Sequence, residues 1–161
     1  MGRRYTITFT GVAISAQQDL WSLKALDDQP ITIISGEIFN VGINADVGDA
    51  KEQTWGIIFV RGNTTIGSGG SNPTARATEG SNSLAFGPTT NVRVNDTTKI
   101  SGGTALTLYS SGFNTRVGWY YKPIPEERFV INEGNGFFAI QLNTTPSEAI
   151  TMSGTLQVDE G

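Results

Sequence analysis

Carboxylates are the residues of this sequence that are suited to acid–base chemistry. The chain has no His and no Cys, so Ser-His and Cys-His nucleophile systems cannot be built from it. In extended chain the neighbours Asp27-Asp28 and Glu126-Glu127 point to opposite faces, whereas a glycosidase needs two carboxyl groups that face each other across one bond. A hydrolase would therefore need carboxylates from separate strands, which the sequence leaves open. We predict no enzyme and no cofactor.

Three further acids lie in the glycine-containing segment 46–52, whose sequence is Asp-Val-Gly-Asp-Ala-Lys-Glu. Carboxylate oxygens at this density could bind Ca²⁺, but the spacing matches no EF-hand loop. The alternative is a solvated turn in which Asp46 and Asp49 accept hydrogen bonds from nearby backbone N–H groups. The sequence favours the turn, and we predict no metal site.

Residues 116–121 form a predicted strand with aromatic side chains on both of its faces. Val117, Trp119 and Tyr121 share one face of a predicted strand, and Arg116 and Tyr120 share the other. Trp119 is expected in the core. Tyr120 is expected on the surface, where a lectin-like protein would stack it on a sugar ring.

Short alternating segments bounded by turn residues predict strands throughout the chain. The composition agrees, because 20 glycines and only 16% charged residues are untypical of helical bundles. The length of 161 residues suits a single domain, which we place at residues 1–161. We predict an all-β, jelly-roll-like β-sandwich. Its strands are expected near residues 4–12, 31–43, 54–60, 91–94, 105–109, 116–121, 137–142 and 150–158.

One short N-terminal helix is predicted over residues 15–26. Ser15 and Gln18 have the spacing of a capping box. The apolar residues that follow are three and four positions apart, as on one face of a helix. They are Leu20, Trp21, Leu23 and Leu26.

The predicted strand at residues 54–60 carries apolar side chains on both of its faces. Trp55, Ile57 and Phe59 lie on one side, and Ile58 and Val60 lie on the other. A strand of this kind is expected to be covered on both faces.

Charge and targeting signals exclude several partners. The net charge is -4 and the basic residues are scattered, so we predict no nucleic-acid partner. Residues 1–6 fit a loose myristoylation pattern and contain an arginine pair, but no apolar signal region follows them. No apolar run is long enough to span a bilayer, and we predict no membrane association.

Residues 61–83, RGNTTIGSGGSNPTARATEGSNS, contain few side chains that could join a core. A twenty-residue excursion reaches on the order of 30 Å, beyond the radius of gyration of about 15 Å expected for this domain. We predict an extended loop or arm that becomes ordered on a second copy or on a larger surface. The alternative is a flexible connection. The candidate partner-binding residues are Asn63, Thr65, Ile66, Arg76 and Tyr120.

Five sequence blocks resemble the small decoration, or cement, proteins of tailed bacteriophages and prophages, a group of β-sandwich type. The blocks are YTITFTGVAISAQQDLWSL, DVGDA, RGNTTIGSGGSNPT, RVGWYYKPIPEE and ITMSGTLQV, and together they span almost the whole chain. The resemblance implies a non-enzymatic virion protein that binds the outer surface of a phage capsid and stabilises it. It also implies the major capsid protein as partner, a homo-oligomer that is most often a trimer, and assembly on the virion in the host bacterial cytoplasm.

A second function stays open beside this one. The chain could be a carbohydrate-binding or host-attachment module of a phage tail or fibre. Tyr120 or Trp119 would then lie near the sugar site.

Overall fold

Alternation of apolar and polar residues gives most strands of this chain one apolar face, and two sheets bury these faces against each other. The computed structural model describes residues 3–26, 28–41, 52–78 and 91–161. Its strands are β1 (Arg3–Ile14), β2 (Asp19–Lys24), β3 (Ile31–Asn40), β4 (Thr54–Asn63), β5 (Arg76–Ala77), β6 (Val92–Asp96), β7 (Leu106–Asn114), β8 (Trp119–Tyr121), β9 (Val130–Ile131), β10 (Phe137–Leu142) and β11 (Ile150–Glu160). Two short 3-10 turns lie at Pro125–Glu127 and Glu133–Asn135.

The strands form two antiparallel sheets. Sheet A has the order β5-β1-β11-β3-β8, with β9 also paired to β3, and sheet B has the order β6-β2-β10-β4-β7. The predicted all-β sandwich is therefore confirmed. Each of the eight predicted strand segments overlaps an observed strand, and the segment 137–142 matches β10 at both ends. Within the described residues there is no helix with the length and apolar character needed to cross a bilayer.

The main core lies between the two sheets and is built from alternate residues. On β11, for example, Met152, Leu156 and Val158 are fully buried. Gly154 lies on the same face of β11, between Met152 and Leu156. A Cβ added at this glycine would lie 2.7 Å from the Trp21 ring. The indole of Trp21 occupies that space, and its Nε1–H donates to the Ile7 carbonyl oxygen at 3.2 Å.

The prediction of a helix over residues 15–26 is wrong, because half of this segment, Asp19–Lys24, forms strand β2. β2 lies inside sheet B between β6 and β10, and its residues 19–23 are all buried. Burial on both faces removes the alternation that marks a half-exposed strand, so its apolar residues also fit a helical spacing. Gln18 makes no capping box and instead donates its side-chain amide to Asn95 Oδ1 at 3.0 Å.

Two segments cover the outer face of sheet B. We call residues 64–72 the strap and residues 97–103 the loop, and together they are the covering segments. They pair antiparallel to each other, as shown by bridges between Thr65 and Ser101 and between Ser68 and Thr98. Beneath them lies a second apolar cluster, separate from the main core. Its members are Val60, Ile100, Phe137 and Ala139, with Ile58 and Ile66 packed against them.

The predicted coverage of both faces of residues 54–60 is confirmed by this arrangement. Trp55, Ile57 and Phe59 lie in the main core, whereas Ile58 and Val60 belong to the second cluster. The glycines of the strap permit the close approach of its backbone to sheet B. An added Cβ at Gly70 would collide with the backbone carbonyl of Val94.

Candidate partner-binding surface

The stretch predicted as an arm lies along its own domain over residues 61–78. After the strap, β5 pairs with β1, placing Arg76 opposite Thr6 and Ala77 opposite Tyr5. The bridges of the strap and this pairing account for most of the segment, so residues 61–78 are not an extended arm. Residues 79–83 lie outside the described residues.

The candidate residues of this stretch have different surroundings. Asn63 is only 7% exposed, and its side-chain amide donates to the Gly102 carbonyl oxygen at 2.9 Å. Ile66 packs against the second cluster. Both side chains are therefore used inside the chain. Thr65 and Arg76 are exposed, although the backbone of Thr65 is bonded to Ser101.

Tyr120 lies on the far side of the molecule from Arg76. The prediction that Trp119 is buried and Tyr120 exposed is confirmed, with exposed fractions of 3% and 61%. Arg76 is on β5 and Tyr120 on β8, at opposite edges of sheet A. Four strand spacings separate these edges, roughly 19 Å. The structure therefore does not bring the five candidate residues into one site.

An exposed apolar strip runs along the β8 edge of sheet A. Among the described residues, seven large apolar side chains are exposed, and five of them lie on β3, β8 or β9 or within three residues of β8. These five define the apolar strip: Phe39 (42% exposed), Val117 (81%), Tyr120 (61%), Ile124 (59%) and Val130 (45%).

Strand pairing shows how the members of the strip are placed. Tyr120 is opposite Glu37 of β3, and Val130 of β9 is opposite Thr32 of the same strand. An added Cβ at Gly118 would lie 3.1 Å from the Phe39 ring, which places Phe39 beside the start of β8. These three members of the strip therefore lie along β3 between Thr32 and Phe39, over about 23 Å at the usual rise per residue.

Sequence reasoning found Tyr120 but missed the rest of the strip. The alternation of residues 116–121 placed Val117 on the buried face with Trp119 and Tyr121, and that placement is wrong. β8 begins only at Trp119, so Val117 lies in the preceding turn and is 81% exposed. Ile124 stands between two prolines, and this spacing was the available signal that an apolar residue lies outside a strand.

A cross-strand pair of acids lies beneath the covering segments. Asp19 of β2 is directly opposite Asp96 of β6, and the two residues are 1% and 0% exposed. Arg93 donates two hydrogen bonds of 2.7 Å to Asp96, from Nε to Oδ2 and from Nη2 to Oδ1. Asp19 Oδ1 accepts a bond of 2.8 Å from the side-chain amide of Gln141.

Burial dominates the ionisation of Asp19. It raises the pKa of this carboxyl from 3.8 to about 6, although hydrogen bonds from Ile100 and Gln141 act in the opposite direction. The negative charge of Asp96 adds to the rise, and Lys99 reduces it. Asp19 and Asp96 are the carboxylates from separate strands that a hydrolase would need, but here they are enclosed by their own chain.

The other predicted acidic groups stay apart. Asp28 and the Glu126-Glu127 pair are exposed. Glu52 accepts a hydrogen bond from Asn114 at 2.9 Å and pairs with Arg116 at 3.3 Å. The rest of the candidate calcium loop, with Asp46 and Asp49, lies outside the described residues, as does Asp27. Across the described part of the chain, no group of three or more acidic side chains is arranged to hold a metal ion.

Comparisons with known proteins find little. No family model matches the chain, and no curated protein matches it. A solved structure, that of T=1 particles derived from infectious bursal virus, is similar with 14% sequence identity and a TM-score of 0.19. That match covers 99% of this chain, which spans 40% of the viral chain. A likeness at this level adds nothing to the description of the fold or the site.

Proposed function

We propose that this chain is a non-enzymatic virion protein of a tailed bacteriophage, which binds the outer surface of the capsid and stabilises it. One observation carries the proposal. Five of the seven exposed large apolar side chains in the described residues gather in the apolar strip, while the apolar residues on the outer face of sheet B are covered by the chain itself. Exposed apolar side chains grouped at one edge of a sheet are typical of an interaction site, because their removal from water lowers the free energy.

The strand order supports a jelly roll within the β-sandwich. Strands β1, β11, β3 and β8 form one antiparallel set, and β2, β10, β4 and β7 form the other, with β1 to β4 alternating between the sheets. This order is that of two interlocked Greek keys. Jelly rolls occur in viral capsid proteins and in lectins, so the fold suits the proposed role without specifying it.

The size of the apolar strip favours binding by several copies at once. A standard stable interface contains roughly 20–30 residues on each side, many more than the strip supplies. A single copy would therefore bind the major capsid protein weakly. A homotrimer would multiply this contact on a repeating surface, and assembly in the host bacterial cytoplasm would place the protein on the virion.

Cryo-electron microscopy of the parent virion tests where the protein is located. We expect its density at repeated positions of the capsid lattice, with the β8 edge of sheet A facing the shell. Density found only on the tail would contradict the proposal.

A binding assay tests the apolar strip itself. Purified chain is mixed with capsids that lack it, and the bound fraction is measured after sedimentation. The double variant Tyr120→Ala, Ile124→Ser is expected to lose most binding, because it removes two exposed members of the strip. Leu106→Ser is the matched control, since Leu106 is 50% exposed but lies on sheet B. Equal loss in both variants would show that the strip is not the binding surface.

The second candidate is a carbohydrate-binding or host-attachment module of a tail or fibre. Its support is the exposed ring of Tyr120 beside Glu37, because an aromatic face with a neighbouring hydrogen-bond acceptor can hold a sugar. A glycan array with Tyr120→Ala as control tests it. Binding that the variant abolishes would favour this candidate, and binding to no glycan would remove its support.

A further inference from the structure

The two buried acids of sheet B lie opposite each other on adjacent strands, so their carboxylates repel when both are ionised. Directly opposed residues of antiparallel strands have Cβ atoms about 4.5–5.5 Å apart, and like charges at such positions are destabilising. Asp19 and Asp96 occupy such a pair and are almost fully buried. A fold that retains this pair must therefore bind each carboxylate firmly or neutralise one of them.

Each carboxylate also bonds to one of the covering segments. Asp19 Oδ2 accepts the backbone N–H of Ile100, in the loop, at 2.7 Å. Asp96 Oδ1 accepts the backbone N–H of Gly70, in the strap, at 2.9 Å. We propose that Asp19 and Asp96 form a proton-responsive clasp, which fixes the covering segments to sheet B and opens less often when Asp19 carries a proton.

The distribution of charge assigns the proton to Asp19. Arg93 forms its two bonds to Asp96, so that acid has a cation partner. Asp19 has only neutral donors, the Ile100 amide and Gln141. The neighbouring β10 and the strap contain no ionisable side chain, and Lys99 of the loop is the remaining cation that acts on Asp19. The first proton that this pair of acids takes up therefore goes to Asp19.

The direction of the response follows from the pKa of Asp19. The folded value of about 6 lies above the ordinary value of 3.8, so the folded state binds more protons than the unfolded state between these pH values. The stabilising effect of protonation is complete below about pH 4 and is lost as the pH rises through 6. Above that pH the two charges repel, the covering segments open more often, and the second cluster is exposed more often. This device does not depend on the proposed virion role.

Amide hydrogen exchange, followed by NMR at pH 5 and pH 8, tests the clasp. After correction for intrinsic exchange rates, the amides of Ile100 and Gly70 should open more often at pH 8. Between these two pH values the limit is on the order of 10-fold, because an exposed Asp19 is already ionised at pH 5 and only the pH unit between 5 and the folded pKa of about 6 contributes. The amide of Leu156, in the centre of sheet A, serves as an internal reference and should change less.

Two variants distinguish an effect of Asp19 from a general gain in the protein's stability at low pH. In Asp19→Asn the difference in protection between the two pH values should disappear, because the titrating group is gone. Glu148→Gln, which removes an exposed acid, should keep the wild-type difference. Equal protection of Ile100 at both pH values in the wild type, or an unchanged pH dependence in Asp19→Asn, would overturn the proposal.

A direct titration keeps the proposal testable if Asp19→Asn does not fold. The carboxyl carbon of Asp19 in the wild-type chain is followed by NMR from pH 3 to pH 8. An apparent pKa near 6 would support the clasp. An apparent pKa at or below the ordinary value would overturn it.

Discussion

The outer faces of sheets A and B differ in what covers them. On sheet B, apolar side chains such as Val60 and Phe137 are enclosed by the strap and the loop. On sheet A, polar side chains such as Thr8 and Thr155 face outward from paired strands, and the apolar strip is confined to one edge. The glycine-rich strap therefore completes the domain on sheet B, and the exposed apolar strip lies on the opposite sheet.

The largest effect is expected from removing Asp96 on the covered side. Asp96→Ala would leave the guanidinium of Arg93 without its carboxylate partner, with only its hydrogen bond to Asn72, and would release the backbone N–H of Gly70. Removing one member of a fully buried ion pair costs about 3–5 kcal/mol of unfolding free energy, and the lower end of this range is expected here because the Arg93 side chain is 15% exposed. Urea unfolding measures it. Glu52→Ala, which breaks the exposed pair with Arg116, is the control and should change stability little. Equal losses of unfolding free energy in the two variants would show that the buried position of Asp96 does not make its ion pair more stabilising than the exposed one.

A smaller effect is expected from a methyl group under the strap. Gly70→Ala places a Cβ against the Val94 carbonyl, so the strap must shift away from sheet B. Overpacking of this kind costs roughly 1–3 kcal/mol. Thermal unfolding measures the loss. Gly134→Ala is the control, because an added Cβ there meets no atom within 4 Å. Unchanged stability of Gly70→Ala would mean that the strap is not held close to the sheet.

Two isoleucines compare the faces directly. Ile66 is half-buried against the second cluster, whereas Ile124 is 59% exposed in the apolar strip. Ile66→Ala should cost about 1–2 kcal/mol, below the range for a fully buried isoleucine, and Ile124→Ala should stay within about 0.5 kcal/mol. Chemical denaturation of both variants checks the difference. The reverse order would contradict the assignment of the covered and open faces.

The smallest change in stability is expected at Tyr120. This side chain is 61% exposed, and Tyr120→Ala should change the free energy of unfolding by less than about 0.5 kcal/mol. Its effect should appear instead as weaker sedimentation with capsids. A variant that unfolds readily would show that Tyr120 stabilises sheet A, and its loss of binding could not then be assigned to the strip.

The alternation of apolar and polar residues predicted the strands whose burial can be read from neighbouring residues. The double-sided apolar pattern of residues 54–60 identified a strand covered on both faces, because both of its faces carry apolar side chains. β2 was mistaken for a helix because the segments that bury its second face are the strap and the loop, more than forty residues away. No local pattern carries that information.

The candidate site was predicted only in part, for a related reason. Tyr120 could be predicted as exposed because adjacent strand residues point to opposite faces, and its neighbour Trp119 is the bulkier apolar residue that the core would bury. Phe39 and Val130 are exposed because β8 and β9 flank β3 and leave its outer face open. The strand order decides this, and the sequence does not state the strand order.

The strand order also has a consequence for synthesis of the chain. β11 follows the other described strands in the chain and is the central partner of β1 and β3, and β10 joins β2 to β4. The early strands of both sheets must therefore wait for distant partners, and such non-local pairing makes folding slow. A nascent chain that stops before residue 137 would expose the edges of four strands at once, which makes truncated products prone to aggregation.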